Sequence, residues 1–345
     1  MNPRESAAFI ASIAQDVKID PLGIQNVAKE IVRAVECEEF KPNNLYIHSY
    51  PLPIDGEPAS IEWLFVADVL NFSFWQLQED QHYTVELKGI KYTGYMALCA
   101  ALTKALEVNK EFFLCAGIPI TTSTFYANIT ADDITKIFAS ATQPIPLPED
   151  RLKNLQEAGK VLNDKFGGSF CNCVKQANQS AQQLLTIIVD NFPCFRDEAI
   201  IGGKTVSLYK RAQILVADIW GLFKGEGLGK FDDIDTITMF ADYRVPQTLI
   251  KFGALQYTER LYELLNKNHL FENGDREEVE IRGCSIHAVE LIRDEIEKNH
   301  RTTVLDAANL KLNSSMIDFF LWEYRRRFAK ELARIPYHKC RCIFY

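Results

Sequence analysis

Apolar residues recur at three- and four-residue spacing along most of this chain, and that spacing confines it to a mainly helical fold. Ile24, Val27, Ala28, Ile31 and Val35 share one helix face, as do Tyr95, Leu98, Cys99, Leu102, Ala105 and Leu106. Ala181, Leu184, Leu185, Ile188, Val189 and Phe192 repeat the pattern and stop at Pro193; Tyr209, Ala212, Val216, Ile219, Trp220 and Phe223 form another stripe. Start signals agree with the stripes. Asn2-Pro3-Arg4-Glu5 reads as an N-cap, a proline at the first helical position and a capping-box glutamate, and Asp20-Pro21 repeats the device. Further helices are expected near 61–74, 131–141, 149–166, 257–267, 285–298 and 316–331. Strand signals are short: 83–87 alternates and turns at Lys88-Gly89 into 90–92, 200–206 turns around Gly202-Gly203, and 278–281 alternates. The expected architecture is one compact helical unit over residues 1–345, decorated with a few short β-hairpins. The prolines of 143–148 make a stiff connection where two helical lobes would meet.

Charge narrows the partners. The 345 residues hold 38 Lys and Arg against 46 Asp and Glu, a net charge of −8. Proteins that grip DNA or RNA draw much of their affinity from phosphate contacts and are usually basic. A stable nucleic-acid polymer is therefore not expected as a partner, and a small ligand is. No apolar run approaches the roughly eighteen residues of a membrane helix. The segment Met1-Asn2-Pro3-Arg4-Glu5 lacks the basic region and apolar stretch of a signal peptide. Together with an odd count of nine cysteines, this predicts reduced thiols and a cytoplasmic location. Cys171-x-Cys173 and His338-x-Cys340-x-Cys342 lack the paired spacing of structural zinc sites, so no metal is expected. Gly225-x-Gly227-x-Gly229-Lys230 is no P-loop, because the spacing is wrong and Phe231 replaces the Ser/Thr.

Two constellations carry chemistry. The stretch Phe240-Ala241-Asp242-Tyr243-Arg244-Val245-Pro246 sets a carboxylate, a phenol and a guanidinium between two helical segments. A carboxylate just ahead of a helix is expected to be kept ionised by the helix dipole, which suits a group facing developing positive charge. The plainer alternative is that Asp242 pairs with Arg244 or satisfies loop amides. Asp318, Phe319, Trp322 and Glu323 cover a helix arc of about 140°, where rings could stack on a flat base and acids accept its N–H donors. The plainer alternative there is an amphipathic helix whose acids pair with Arg325, Arg326 or Arg327. Asn71-Phe72-Ser73-Phe74-Trp75 is a possible pocket wall. Lys210 and Arg211 open a helix after the 200–206 hairpin, a plausible site for a single phosphate.

In order along the chain, these segments resemble the queuosine salvage family, the queuosine 5′-phosphate N-glycosylase/hydrolases. The matching strings are Asn2-Pro3-Arg4-Glu5-Ser6, Asp68-Val69-Leu70-Asn71-Phe72-Ser73-Phe74-Trp75, Phe195-Arg196-Asp197, Lys210-Arg211-Ala212-Gln213-Ile214, Phe240 to Pro246, Asp318 to Glu323, and Ile343-Phe344-Tyr345. The resemblance implies a fold related to helix-hairpin-helix DNA glycosylases. It implies hydrolysis of queuosine 5′-monophosphate to queuine and ribose 5-phosphate, without metal or cofactor, the base then being available for insertion into tRNA. The catalytic aspartate falls on Asp242, and the base-binding positions fall on His48, Phe240, Asp318, Phe319 and Glu323. Asp235 and Tyr243 join the substrate-binding set, with Lys210, Arg211 or Arg244 for the phosphate. Asp242 would lower the barrier to an oxocarbenium-like sugar electrostatically, attack the anomeric carbon, or orient water. Queuine is a deazaguanine with an amine side arm; carbon replaces the ring nitrogen that purine glycosylases often protonate. Leaving-group activation then falls to a protonated acid, Asp318 or Glu323. Two alternatives stand beside this: a glycosylase acting on a modified base within RNA or DNA, and a non-catalytic nucleobase-binding module.

Overall fold

The computed structural model describes residues 1–42, 51–52, 57–77, 81–107, 117–300, 305–306 and 311–345. Helix accounts for 58% and strand for 8%, so the chain is mainly α. The first half runs α1 (Pro3–Ile13), β1 (Val17–Ile19), α2 (Pro21–Glu36), α3 (Pro58–Val69), β2 (Thr84–Leu87), β3 (Ile90–Thr93), α4 (Gly94–Leu106), α5 (Ser123–Tyr126), α6 (Ala131–Ile137), α7 (Pro148–Lys165), α8 (Phe170–Gln176) and α9 (Ala181–Asn191). It continues through β4 (Glu198–Ile201), β5 (Lys204–Ser207), α10 (Lys210–Leu222), α11 (Val245–Lys251), β6 (Leu255–Tyr257), α12 (Glu259–Asn266) and β7 (Leu270–Phe271). The remainder is α13 (Arg276–Asn299), α14 (Ser314–Arg327), α15 (Ala329–Leu332) and β8 (Lys339–Cys340).

The caps form as the residues dictate. Asn2 Oδ1 accepts from Glu5 N–H at 2.9 Å and the Glu5 carboxylate accepts from Asn2 N–H at 3.2 Å. Asp20 Oδ1 accepts from Leu22 and Gly23 N–H at 2.9 and 3.2 Å, each such cap contributing about 1 kcal/mol. Gly23 serves packing as well: a Cβ there would stand 2.1 Å from the Gly253 carbonyl carbon, so α2 approaches the turn after α11 backbone to backbone. Gly23→Ala is expected to lower stability by about 1–3 kcal/mol, measured as a denaturant midpoint, because a backbone neighbour cannot step aside as a side chain does.

Two apolar cores build the body. One gathers α3, α4 and α6–α10, from Ile61 to Phe240. The other joins α1, α2 and the β4–β5 hairpin to most apolar residues from Ala241 onward, including Val279, Ile281, Ile317, Phe319 and Tyr345. Of the segment 143–148, Ile145 is buried in the first core, and Pro148 opens α7. Strand pairs are short: β2–β3 and β4–β5 are the two expected hairpins, β1 pairs antiparallel with β6, and β7 pairs parallel with β8. The C-terminal tail is clipped to the aromatic loop after α3. Trp75 Nε1 donates to Cys340 O at 3.1 Å, Ser73 Oγ to Cys342 O at 2.8 Å, and Ser73 N–H to Tyr345 O at 2.8 Å.

Two expectations fail, each for a physical reason. Residues 278–281 are helical, inside α13, not a strand. Their alternation misleads because the acids are buried along with Val279 and Ile281: Glu278 pairs with Arg282 at 3.1 Å, and Glu280 accepts the Gln15 and Asp16 amides at 3.0 and 2.7 Å. The helix expected over 61–74 stops at Val69. Arg211 takes the Asp68 and Val69 carbonyls at 2.9 and 2.6 Å, and Arg151 takes those of Leu70 and Phe72. Two buried guanidiniums thus satisfy the carbonyls a helix end leaves orphaned.

Candidate active site

A cavity of about 470 Å³ opens between the two cores, and most of the residues singled out above line it. Lys210, Ile214 and Asp218 stand at i, i+4 and i+8 on α10, giving one wall. Phe240, Asp242, Tyr243 and Arg244 come from the loop before α11, and Asp318, Phe319 and Trp322 from α14. Asn71 and Phe74 come from the loop after α3, Tyr95 and Met96 from α4, and Tyr345 from the tail. Arg325, Arg326 and Lys330 give the lip a basic character.

Asp242 caps the start of α11. Its Oδ1 accepts from Arg244 N–H at 2.9 Å and Val245 N–H at 2.8 Å; among the described residues Oδ2 accepts no hydrogen bond. The helix start does favour the ionised form of this carboxyl, through those two amides. Burial pushes it above the ordinary aspartate range, although the two amides and the charges of Lys210 and Arg244 pull the other way. Arg244 lends Asp242 its backbone N–H; its guanidinium stacks over Tyr337, 4.0 Å from the ring centroid. Asp318 is more strongly perturbed. Burial first and the charge of Asp242 second push its carboxyl well above the usual range, while Oδ1 accepts from Phe240 N–H at 3.0 Å. Two neighbouring carboxyls in one buried site cannot both ionise cheaply; both are pushed up, Asp318 the more strongly.

A buried ionic network fixes these groups. Arg282 clasps Asp197 through two hydrogen bonds of 3.0 and 2.6 Å, and its Nε donates to Ala241 O at 3.0 Å, next to Asp242. Asp197 in turn accepts Lys210 N–H at 3.1 Å. The Lys210 ammonium donates to Asn71 O and Asn71 Oδ1, both at 3.2 Å.

Other expectations land elsewhere. Glu323 does not line this cavity; it lines a separate one of about 480 Å³ with Glu30, Arg33 and Glu39. It lies at the far edge of the α14 arc, about 140° from Asp318, and the cavity wall ends before it. Asp235 forms an exposed ion pair with Lys311 at 2.9 Å and does not line the cavity. Arg211 is buried, turns both terminal guanidinium nitrogens to the carbonyls of Asp68, Val69 and Cys194, and does not line the cavity. His48 lies outside the described residues. Sequence reasoning passed over Asp218, although its spacing of eight from Lys210 was the available signal. A wider groove of about 960 Å³ between α1, α2 and α13 contains none of the candidates.

The profile of the family described as "Queuosine salvage protein" matches residues 52–345. The chain belongs to the queuosine salvage protein family. Family relatives named queuosine 5′-phosphate N-glycosylase/hydrolase extend from animals to bacteria. The mouse protein is 44% identical over 353 residues, covering 100% of this chain and 99% of its own. The Schizosaccharomyces pombe protein is 37% identical over 99% of both chains. The Sphaerobacter thermophilus protein is 38% identical over 84% of this chain and 83% of its own.

Proposed function

We propose that this chain hydrolyses the N-glycosidic bond of queuosine 5′-monophosphate, releasing queuine and ribose 5-phosphate for salvage of the base into tRNA. The observation that carries this is the pair Asp242 and Asp318 in one ring-walled cavity of a queuosine salvage protein. The base lies between the rings of Phe240, Phe319 and Trp322, with Tyr243 beside it. As the C1′–N bond lengthens, its electron pair passes to the base, and the Asp318 proton meets the developing charge there. Asp242 Oδ2 opposes the oxocarbenium-like sugar, and water then adds its oxygen to C1′, releasing the proton that restores Asp318. No metal or cofactor enters these steps. The helix-hairpin-helix glycosylase relationship, a single glycosylase-like unit over residues 1–345, a cytoplasmic location and the absence of a stable nucleic-acid partner belong to the same reading. Among the described residues no helix is long and apolar enough to cross a membrane.

Lys210 sits deep in the cavity, where its charge favours the ionised form of Asp242. Arg244, with the basic lip, is then the better partner for the 5′-phosphate. A charge-assisted contact of this kind contributes about 1.5–3 kcal/mol. Arg244→Ala is expected to shrink the kcat/KM advantage of the 5′-monophosphate over the free nucleoside by about tenfold or more on that basis. An unchanged ratio would move the phosphate elsewhere. The function itself is tested by incubation with queuosine 5′-monophosphate and chromatography of the products. Equimolar queuine and ribose 5-phosphate are expected. Release only from queuosine-containing tRNA would mark a polymer glycosylase, and tight queuine binding without ribose 5-phosphate a non-catalytic module.

A further inference from the structure

Lys210 is an amine almost wholly removed from solvent, and something must hold it charged and aimed. Burial pushes its pKa down, while Asp242 and Asp68 pull it back up. The groups facing it are Asp68 from α3, Asn71 from the loop that follows, Arg211 on its own helix, Asp242 before α11 and Asp318 from α14. Among these, Asn71 makes the hydrogen bonds. Its backbone and side-chain oxygens both accept from Lys210 Nζ at 3.2 Å, and its Nδ2 donates to Asp68 Oδ1 at 3.0 Å. Donor chemistry sets the amide's orientation. An ammonium has only donors, so it needs the amide oxygen, which leaves the amide nitrogen to donate to Asp68 Oδ1. Asp68 is completely buried, and its Oδ2 has no hydrogen-bond partner among the described residues. Burial pushes its carboxyl up to about 7, and its one side-chain hydrogen bond among the described residues holds the Asn71 amide in register.

We propose that Asn71, clamped by Asp68, is a positioning residue that fixes the Lys210 ammonium beside Asp242. It touches neither the reacting bond nor the base in this account; it acts through Lys210. The inference rests on the functional reading above for its kinetic consequences, but not for the charge state of Lys210.

The experiment has two arms on the full chain. In the first, Asn71→Ala is made in the parent and in Lys210→Met, and kcat for queuosine 5′-monophosphate is measured. Losing hydrogen bonds to a charged group is expected to cost about 10- to 100-fold in the parent and almost nothing in the Lys210→Met background. KM should move little in either. An equal loss in both backgrounds would mean Asn71 merely supports the fold and would overturn the proposal. In the second arm, carbamoylation of Lys210 by cyanate is followed against pH by peptide mass spectrometry, which requires no turnover. Acceptors favour the charged amine, so Asn71→Ala should move the Lys210 titration to lower pH, and Asn71→Asp, which restores an acceptor and adds charge, should move it up. A titration unmoved by both variants would overturn the proposal even in an active enzyme. A parent inert on the nucleotide, with the titration shifting as expected, would reject the functional reading and leave the Asn71–Lys210 coupling standing.

Discussion

Asp242→Asn is expected to abolish turnover while the protein folds and binds queuine nearly as the parent does. The asparagine keeps the Oδ1 that accepts the Arg244 and Val245 amides, so the start of α11 stays capped. What disappears is the negative charge on Oδ2, the group opposing the oxocarbenium. Electrostatic stabilisers of this kind contribute on the order of 10²–10³ in kcat. Because the charge is felt mainly at the transition state, kcat should fall with KM little changed. Near-normal kcat in a correctly folded Asp242→Asn would remove Asp242 from the chemistry.

Asp318→Asn is expected to separate binding from catalysis in a different way. A neutral carboxyl and an amide both offer one acceptor oxygen and a hydrogen donor, so the Phe240 amide contact and the hold on the base survive. An amide cannot give up its proton, so leaving-group activation is lost, at on the order of 10²–10⁴ in rate. Asp318→Leu removes the acceptor as well and should weaken queuine binding by about tenfold or more, since buried donors are left unpaired. The parent's pH profile follows from the same pair. Activity falls in acid as Asp242 takes a proton, at a pH above that of an ordinary aspartate. It falls in base as Asp318, raised further, loses its own.

The pieces legible in the sequence were those with local signatures. The capped starts of α1 and α2, the β2–β3 and β4–β5 hairpins, and the stripes of α4, α9 and α10 depend on neighbours within a few residues, so spacing reveals them. Asp242 and Asp318 stood out because each interrupts or decorates a helix among aromatic residues. Their mutual effect on protonation did not, because it arises from proximity across 76 residues of chain and from burial. The helix stop at Val69 depends on Arg151 and Arg211, guanidiniums brought from α7 and α10, and no local rule contains them. Glu323 lies outside the cavity lining for a geometric reason: an arc of 140° is wider than the face the cavity exposes. The buried acids of 278–281 imitated a strand because charge was taken for exposure, whereas Arg282 and two backbone amides from the α1–β1 connection pair with those acids inside the core.

The division of labour between the two aspartates is tested most directly by infrared difference spectroscopy at neutral pH, which separates a protonated carboxyl from a carboxylate. Subtracting Asp318→Asn from the parent should show one protonated-carboxyl band that the variant lacks, and subtracting Asp242→Asn should show the loss of a carboxylate band. A protonated-carboxyl band lost with Asp242 instead, or none lost with Asp318, would contradict the assignment of the proton to Asp318 and the charge to Asp242.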